Sequence, residues 1–203
     1  MAAVTGHLDD EAPFSFRQAV EALRAARVRP GVRIEETAAP RRLAPFAYAL
    51  EATVLSDGEE LADGRLVLLH EPGGHDAWHG EFRLVTLARA ELEPEMAGDP
   101  LLPEVSWSWL TGALDARGAA YHDPSGTVSR ASSHYFGGLA DRSDDTQIEV
   151  RASWTPASAA DAAAHLAAWC DLLCACAGLP PWDGPESSVR GAGGVLPLPK
   201  RRS

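Results

Sequence analysis

One stretch limits the fold more than any other. From Thr146 to Trp154, the apolar residues Ile148, Val150, Ala152 and Trp154 alternate without a fault with Gln147, Glu149, Arg151 and Ser153. A period of two is the signature of a β-strand with one dry face and one wet face. Such a strand cannot bury its dry face alone. It needs neighbouring strands beside it and a second layer above it, so the rest of the chain must supply both.

The strands are found upstream. Phe46 to Leu55 sets Tyr48, Leu50, Ala52 and Val54 on one face. The turn Ser56-Asp57-Gly58 and a second break at Asp63-Gly64 separate it from a strand at Arg65 to His70. A third runs from Gly80 to Leu92, with Phe82 and Leu84 inward and Arg83 and Arg89 on the far side. Gly126 to Phe136 is a more polar strand. Val32 to Glu36 reads as a short extended piece before the proline-broken stretch Pro40 to Pro45.

The second layer comes from three helices. Ser15 with Gln18 has capping-box spacing, and Phe16, Ala19, Val20, Leu23 and Ala26 recur at helical intervals up to Pro30-Gly31. A second helix starts at Pro100 or Pro103, where a missing N–H costs little, and ends near Gly118. A third carries Leu166, Trp169, Cys170, Leu173 and Ala177 and stops at Gly178. The expected architecture is α+β: a five-stranded, mostly antiparallel sheet with three helices on one face, in the order α-β-β-β-α-β-β-α. That order looks like the type III secretion chaperone topology, whose members are acidic, dimeric and non-enzymatic.

The 203 residues suit a single domain, placed at residues 13–180, with a disordered N-terminus over 1–12 and a flexible Gly/Pro-rich tail over 181–203. The net charge of −11 is unevenly spread. Seven arginines face three glutamates between Arg17 and Arg42, whereas Leu43 to Trp182 holds seven basic and 21 acidic residues. So acidic a body repels phosphate backbones, which argues against nonspecific nucleic-acid binding by the body and leaves the arginine-rich stretch from Arg17 to Arg42 as the one place for an acidic partner, its plainer reading being a solvated helix face and loop. No apolar run approaches the ~20 residues of a membrane span, and the acidic start lacks the basic, apolar pattern of a signal peptide. Cys170, Cys174 and Cys176 crowd one helical segment in odd number, a pattern of buried reduced thiols rather than a disulfide framework. These features together lead to the expectation of a cytoplasmic chain.

Three groups of residues carry candidate chemistry. His70, His75 and His79, with Glu71 and Asp76, put three imidazoles and two carboxylates within ten residues, a candidate zinc site. Against it, a Gly-rich hairpin tip collects Gly, Pro, Asp and His for conformational reasons and does not preorganise ligands. Arg130 and His134 share a strand face with Val128 and Ser132, which is either wet or the wall of a ligand pocket. On the second helix, Trp107, Leu110 and Leu114 form a stripe offset from Leu102, Val105 and Trp109, and it reads either as a surface for a partner or for self-association, or as part of a helix inserted deeply in the core. No serine sits in a nucleophile elbow and no phosphate loop is present, so no catalytic residue is assigned.

The segments FSFRQAVEALRAARVRPGVRIEETAAPRRLAPFAYALEATV, AWHGEFRLVTLARAELEPEMAGDPLLPEVSWSWLTGALDARG, GTVSRASSHYFGGL and IEVRASWTP closely resemble an actinobacterial family catalogued as domain of unknown function 3000. The resemblance spans most of residues 14–180 and brings no activity, cofactor or catalytic residue with it. The expected function is a protein-binding, scaffold or chaperone-like domain. The alternative is a metal- or small-molecule-dependent enzyme with a histidine-containing site.

Overall fold

A computed structural model describes residues 12–182. Six strands form one sheet: β1 (Val32–Thr37), β2 (Phe46–Ser56), β3 (Glu59–His75), β4 (Gly80–Glu91), β5 (Tyr121–Ser133) and β6 (Asp145–Pro156). Their order across the sheet is β1-β2-β3-β4-β6-β5, and every neighbouring pair is antiparallel. Three helices, α1 (Phe14–Ala25), α2 (Leu102–Ala116) and α3 (Ala162–Cys176), supply the second layer. The segments 1–12 and 181–203, expected to be flexible, lie outside the described residues except for Ala12, Pro181 and Trp182.

The alternation from Thr146 to Trp154 sets the inside of the molecule. Ile148, Val150 and Trp154 have no exposed surface, and Ala152 almost none. They pair in register with Ala90, Ala88, Leu84 and Thr86 of β4. Tyr48, Leu50, Ala52 and Val54 continue the same dry face on β2. Over it lies α3, buried on most of its circumference through Leu166, Ala168, Trp169, Cys170, Leu172, Leu173 and Cys174. By length and composition the segment Ala159–Cys176 is apolar enough to cross a bilayer. Here that apolarity is spent on contacts with α1, α2 and the sheet.

The expectation of five strands is overturned: the sheet has six, and the element order is α-β-β-β-β-α-β-β-α. The added strand is β1, where the sequence predicts only a short extended piece. An edge strand needs only one dry face, and Val32 and Ile34 supply it. Arg33 and Glu35 point the other way, and all of β1 pairs with Ala49 to Val54. The extra strand also separates this fold from the secretion-chaperone order. Asp63-Gly64 is likewise no break, because β3 runs straight through it. A β-carbon at Gly64 would stand 2.7 Å from Leu173 Cδ2 and 3.0 Å from both Leu87 O and Trp169 Cζ2. The glycine is there to let α3 press against the sheet, a packing role that its sequence context does not reveal. The Asp57-Gly58 turn does form as expected, with both residues at positive φ, as a two-residue hairpin requires.

Candidate functional site

His70 lies on the helix-covered side of the sheet, fully buried in an aromatic box. Its ring stacks on Phe82 at 4.2 Å and on Phe16 at 5.7 Å, with Phe46 at 6.0 Å. Neither ring nitrogen has a hydrogen-bond partner, and burial lowers its pKa against the pull of Glu81 and Glu71. His75 and His79 sit instead at the exposed β3–β4 tip, where β3 pairing breaks between His70 and His75. The three histidines are therefore not brought together. Among the described residues no group of three or more His, Cys, Asp or Glu is arranged to hold a metal ion.

Arg130 and His134 also part company. The Arg130 guanidinium donates to the carbonyls of Ala97 (2.6 Å) and Asp99 (3.2 Å), tying the helical turn Pro94–Ala97 and the segment after it to β5. His134, past the end of β5, pairs with Asp144 at 2.7 Å. Leu110 and Leu114 have no exposed surface, and Trp107 is half-buried with its ring over Gly126. That stripe is core. The exposed apolar residues of this region are Leu101 and Val105.

What the structure does assemble lies on the face that no helix covers. Strand alternation turns Thr37, Ala49, Val67, Val85, Ser153 and Ser125 into one row across the sheet. The next row reads Glu35, Glu51, Arg65, Leu87, Arg151 and Thr127, and the one after it Arg33, Thr53, Asp63, Arg89, Glu149 and Ser129. Ion pairs knit the charged rows together: Arg65 to Glu51 at 3.4 Å, Arg89 to Asp63 at 2.9 Å and Arg151 to Glu149 at 2.8 Å. Two shallow depressions mark this face. The larger, about 740 Å³, is lined by charged residues including Glu51, Asp63, Arg65, Arg89 and Glu91. The second, about 430 Å³, has Val67, Val85 and Leu87 as its apolar wall, with Arg65 and Arg151 beside them and Ser125 and Ser153 across.

At one end of this face the cover thickens. Ala39 and Ala44 of the β1–β2 connection and Trp78 of the β3–β4 tip pack on Ala49, Val67 and Leu69. Beneath them Arg83 is almost wholly buried, and its hydrogen bonds go only to neutral groups: Thr155 Oγ1 at 2.9 Å, Ser153 Oγ at 2.8 Å, Ser153 O at 3.3 Å and Ser125 Oγ at 3.2 Å. Burial lowers its pKa, and the nearby Asp123 offsets part of that. Asp123 is held by two imidazoles. The Nδ1–H groups of His79 (2.7 Å) and His122 (2.9 Å) both donate to its Oδ2. These contacts hold the carboxyl below its usual pKa, His122 contributing most. His79 and Asp123 both adopt positive φ, uncommon for residues with a β-carbon, and Asp123 does so at a register shift in β5.

Of the sequence-nominated residues only His79 belongs to this assembly. His122 and Asp123 lie 44 residues or so along the chain from it, and no local spacing announces the contact. Arg151, Ser153, Arg83 and Arg89 are legible in the sequence as the wet sides of β6 and β4, the one local signal of the open face.

Fold and surface define an α+β protein built as a helix-roofed antiparallel sheet whose second face is left open. The chain belongs to the family described as Protein of unknown function (DUF3000), whose family model matches residues 12–185. No curated protein and no solved structure matches it.

Proposed function

We propose that the protein is a binding domain that takes a polypeptide partner on the open face of its sheet. One observation carries this reading: Val85 and Leu87, half-buried and next to the covered Val67, lie on a face that no helix covers, between rows of paired charges. Apolar side chains at the centre with a charged, hydroxyl-rich rim are what a protein interface offers. The charges speak for a polypeptide too. Arg33, Arg65, Arg89 and Arg151 are balanced by Glu35, Glu51, Asp63 and Glu149, so this face is near neutral within an acidic chain. A nucleic acid needs an excess of positive charge that is absent there. Exposed ion pairs of this kind are individually worth under about 1 kcal/mol, so they can be exchanged for pairs with a partner.

The test is a photo-reactive amino acid placed at Leu87, in the native host, beside the same probe at Ser108 on the exposed side of α2. A discrete adduct from position 87, absent from position 108 and lost on adding Val85→Lys, supports the reading. Equal adducts from both positions, or an adduct indifferent to Val85→Lys, refute it.

A further inference from the structure

We infer that β5 is the seam along which a second copy of this chain docks, joining two six-stranded sheets edge to edge. β5 is the outermost strand, bonded to β6 on one side only. At 13 residues it is long for an edge. Sheet proteins guard such edges with lysine, proline, bulges or brevity, because a row of unpaired N–H and C=O groups is a template for another strand. The opposite edge is guarded in this way: β1 has only six residues, three of them charged, Arg33, Glu35 and Glu36. β5 is guarded at one end alone, by the register shift between His122 and Ser125 that includes Pro124. From Ser125 to Ser133 it reads Ser-Gly-Thr-Val-Ser-Arg-Ala-Ser-Ser, with one charge, and that arginine is committed to the carbonyls of Ala97 and Asp99.

The surroundings point the same way. The described residues hold six large apolar side chains that are well exposed, and four flank β5: Leu101 (58%), Val105 (40%), Phe136 (81%) and Leu139 (52%). Phe136 and Leu139 follow the strand directly. Leu101 and Val105 lie on the α2 side, between the Trp107 contact at Gly126 and the Arg130 contact at Asp99, which places them beside the middle of the strand.

A twofold axis through Ser129 makes the strand its own partner. Thr127 then faces Ala131 of the second copy, Val128 faces Arg130, and Ser125 faces Ser133, so no like charges stand directly opposite each other along the seam. The same axis brings Leu101 and Val105 of the two copies together and carries Phe136 over the start of the other β5. The contact is isologous and closes at two copies. A neutral, small-residue edge in a chain of net charge −11 suits a copy of itself better than a basic partner, which would find its attraction elsewhere.

The experiment is sedimentation of the full chain from low to high micromolar concentration, with Val105→Lys and Ser129→Lys each measured alongside. Ser129 faces Glu149 across the ladder, so a lysine there retains a partner within the monomer. The inference expects a wild-type dimer, and variants whose dimer dissociation constant rises at least tenfold while circular dichroism and thermal unfolding at low micromolar concentration stay unchanged. A wild-type chain that remains monomeric across the range overturns it. So does a dimer that both variants leave intact.

Discussion

Acid should weaken this protein in part through the buried imidazole of His165, the one whose pKa is lowered to about 4. The residue has no exposed surface and lies on α3 against Trp154, whose indole N–H donates to His165 Nδ1 at 3.1 Å. The ring is therefore neutral with its proton on Nε2, and a second proton has to break the Trp154 contact. Burial lowers its pKa from 6.5 to about 4, against the weaker opposing effect of Asp161. In the unfolded chain the ring keeps its ordinary pKa. Between those two values the unfolded state binds more protons than the folded one, so stability is lost as pH falls from 6.5 towards 4. The loss is worth about 2 kcal/mol at pH 5 and about 3 kcal/mol at pH 4, from 1.36 kcal/mol per pKa unit. His165→Gln preserves an acceptor for the indole and removes the titration. Urea unfolding followed by tryptophan fluorescence at pH 7 and pH 5 measures the difference. The variant is expected to be less stable by roughly 1–2 kcal/mol at pH 7, for imperfect packing. At pH 5 that deficit is expected to close by about 2 kcal/mol. A deficit identical at both pH values, or a His165 ring that titrates near 6.5 by NMR, would refute the reasoning.

Three further outcomes follow from the same interior. Gly64→Ala should cost about 1–3 kcal/mol in thermal unfolding, because its β-carbon meets the Leu87 backbone and two α3 side chains, and Leu173→Ala in the same chain should recover part of the overpacking term. His70→Phe should leave the protein as stable or about 1 kcal/mol more stable at neutral pH, since it removes two unpartnered buried nitrogens from a box of phenylalanines, and the gain should grow below pH 6.5. A urea midpoint shifted downward by this substitution would contradict the placement of the ring. Cys170, Cys174 and Cys176 are buried thiols whose pKa values burial raises, Cys176 to about 12, so they should resist a thiol reagent in the folded chain and react together on unfolding.

The parts of this fold readable from sequence are those with a local period. The alternation in β6 and β2 and the apolar stripes of α1 and α3 gave strands, helices and their inward faces correctly. What escaped depended on partners distant in the chain. β1 is short and charged, and becomes a strand only because β2 offers it an edge. Gly64 looks like a turn until α3 is packed against it. Leu110 and Leu114 looked like a surplus stripe because the depth to which α2 sinks is set by β5 and α3, not by α2 itself. The site shows the same division. His79 stood out in a histidine-rich segment, yet its contact is Asp123, fixed by the pairing of β5 with β6. The wet residues of β4 and β6 were visible as wet, but that they share an uncovered face follows from the strand order alone.

Methyl-resolved NMR of the labelled protein, titrated with extract of its native host, addresses the open face most directly. The account predicts shifts or broadening centred on Val67, Val85 and Leu87, with Leu110, Leu114 and Leu172 unchanged. Methyls of that strip left undisturbed while binding registers elsewhere on the surface would contradict it.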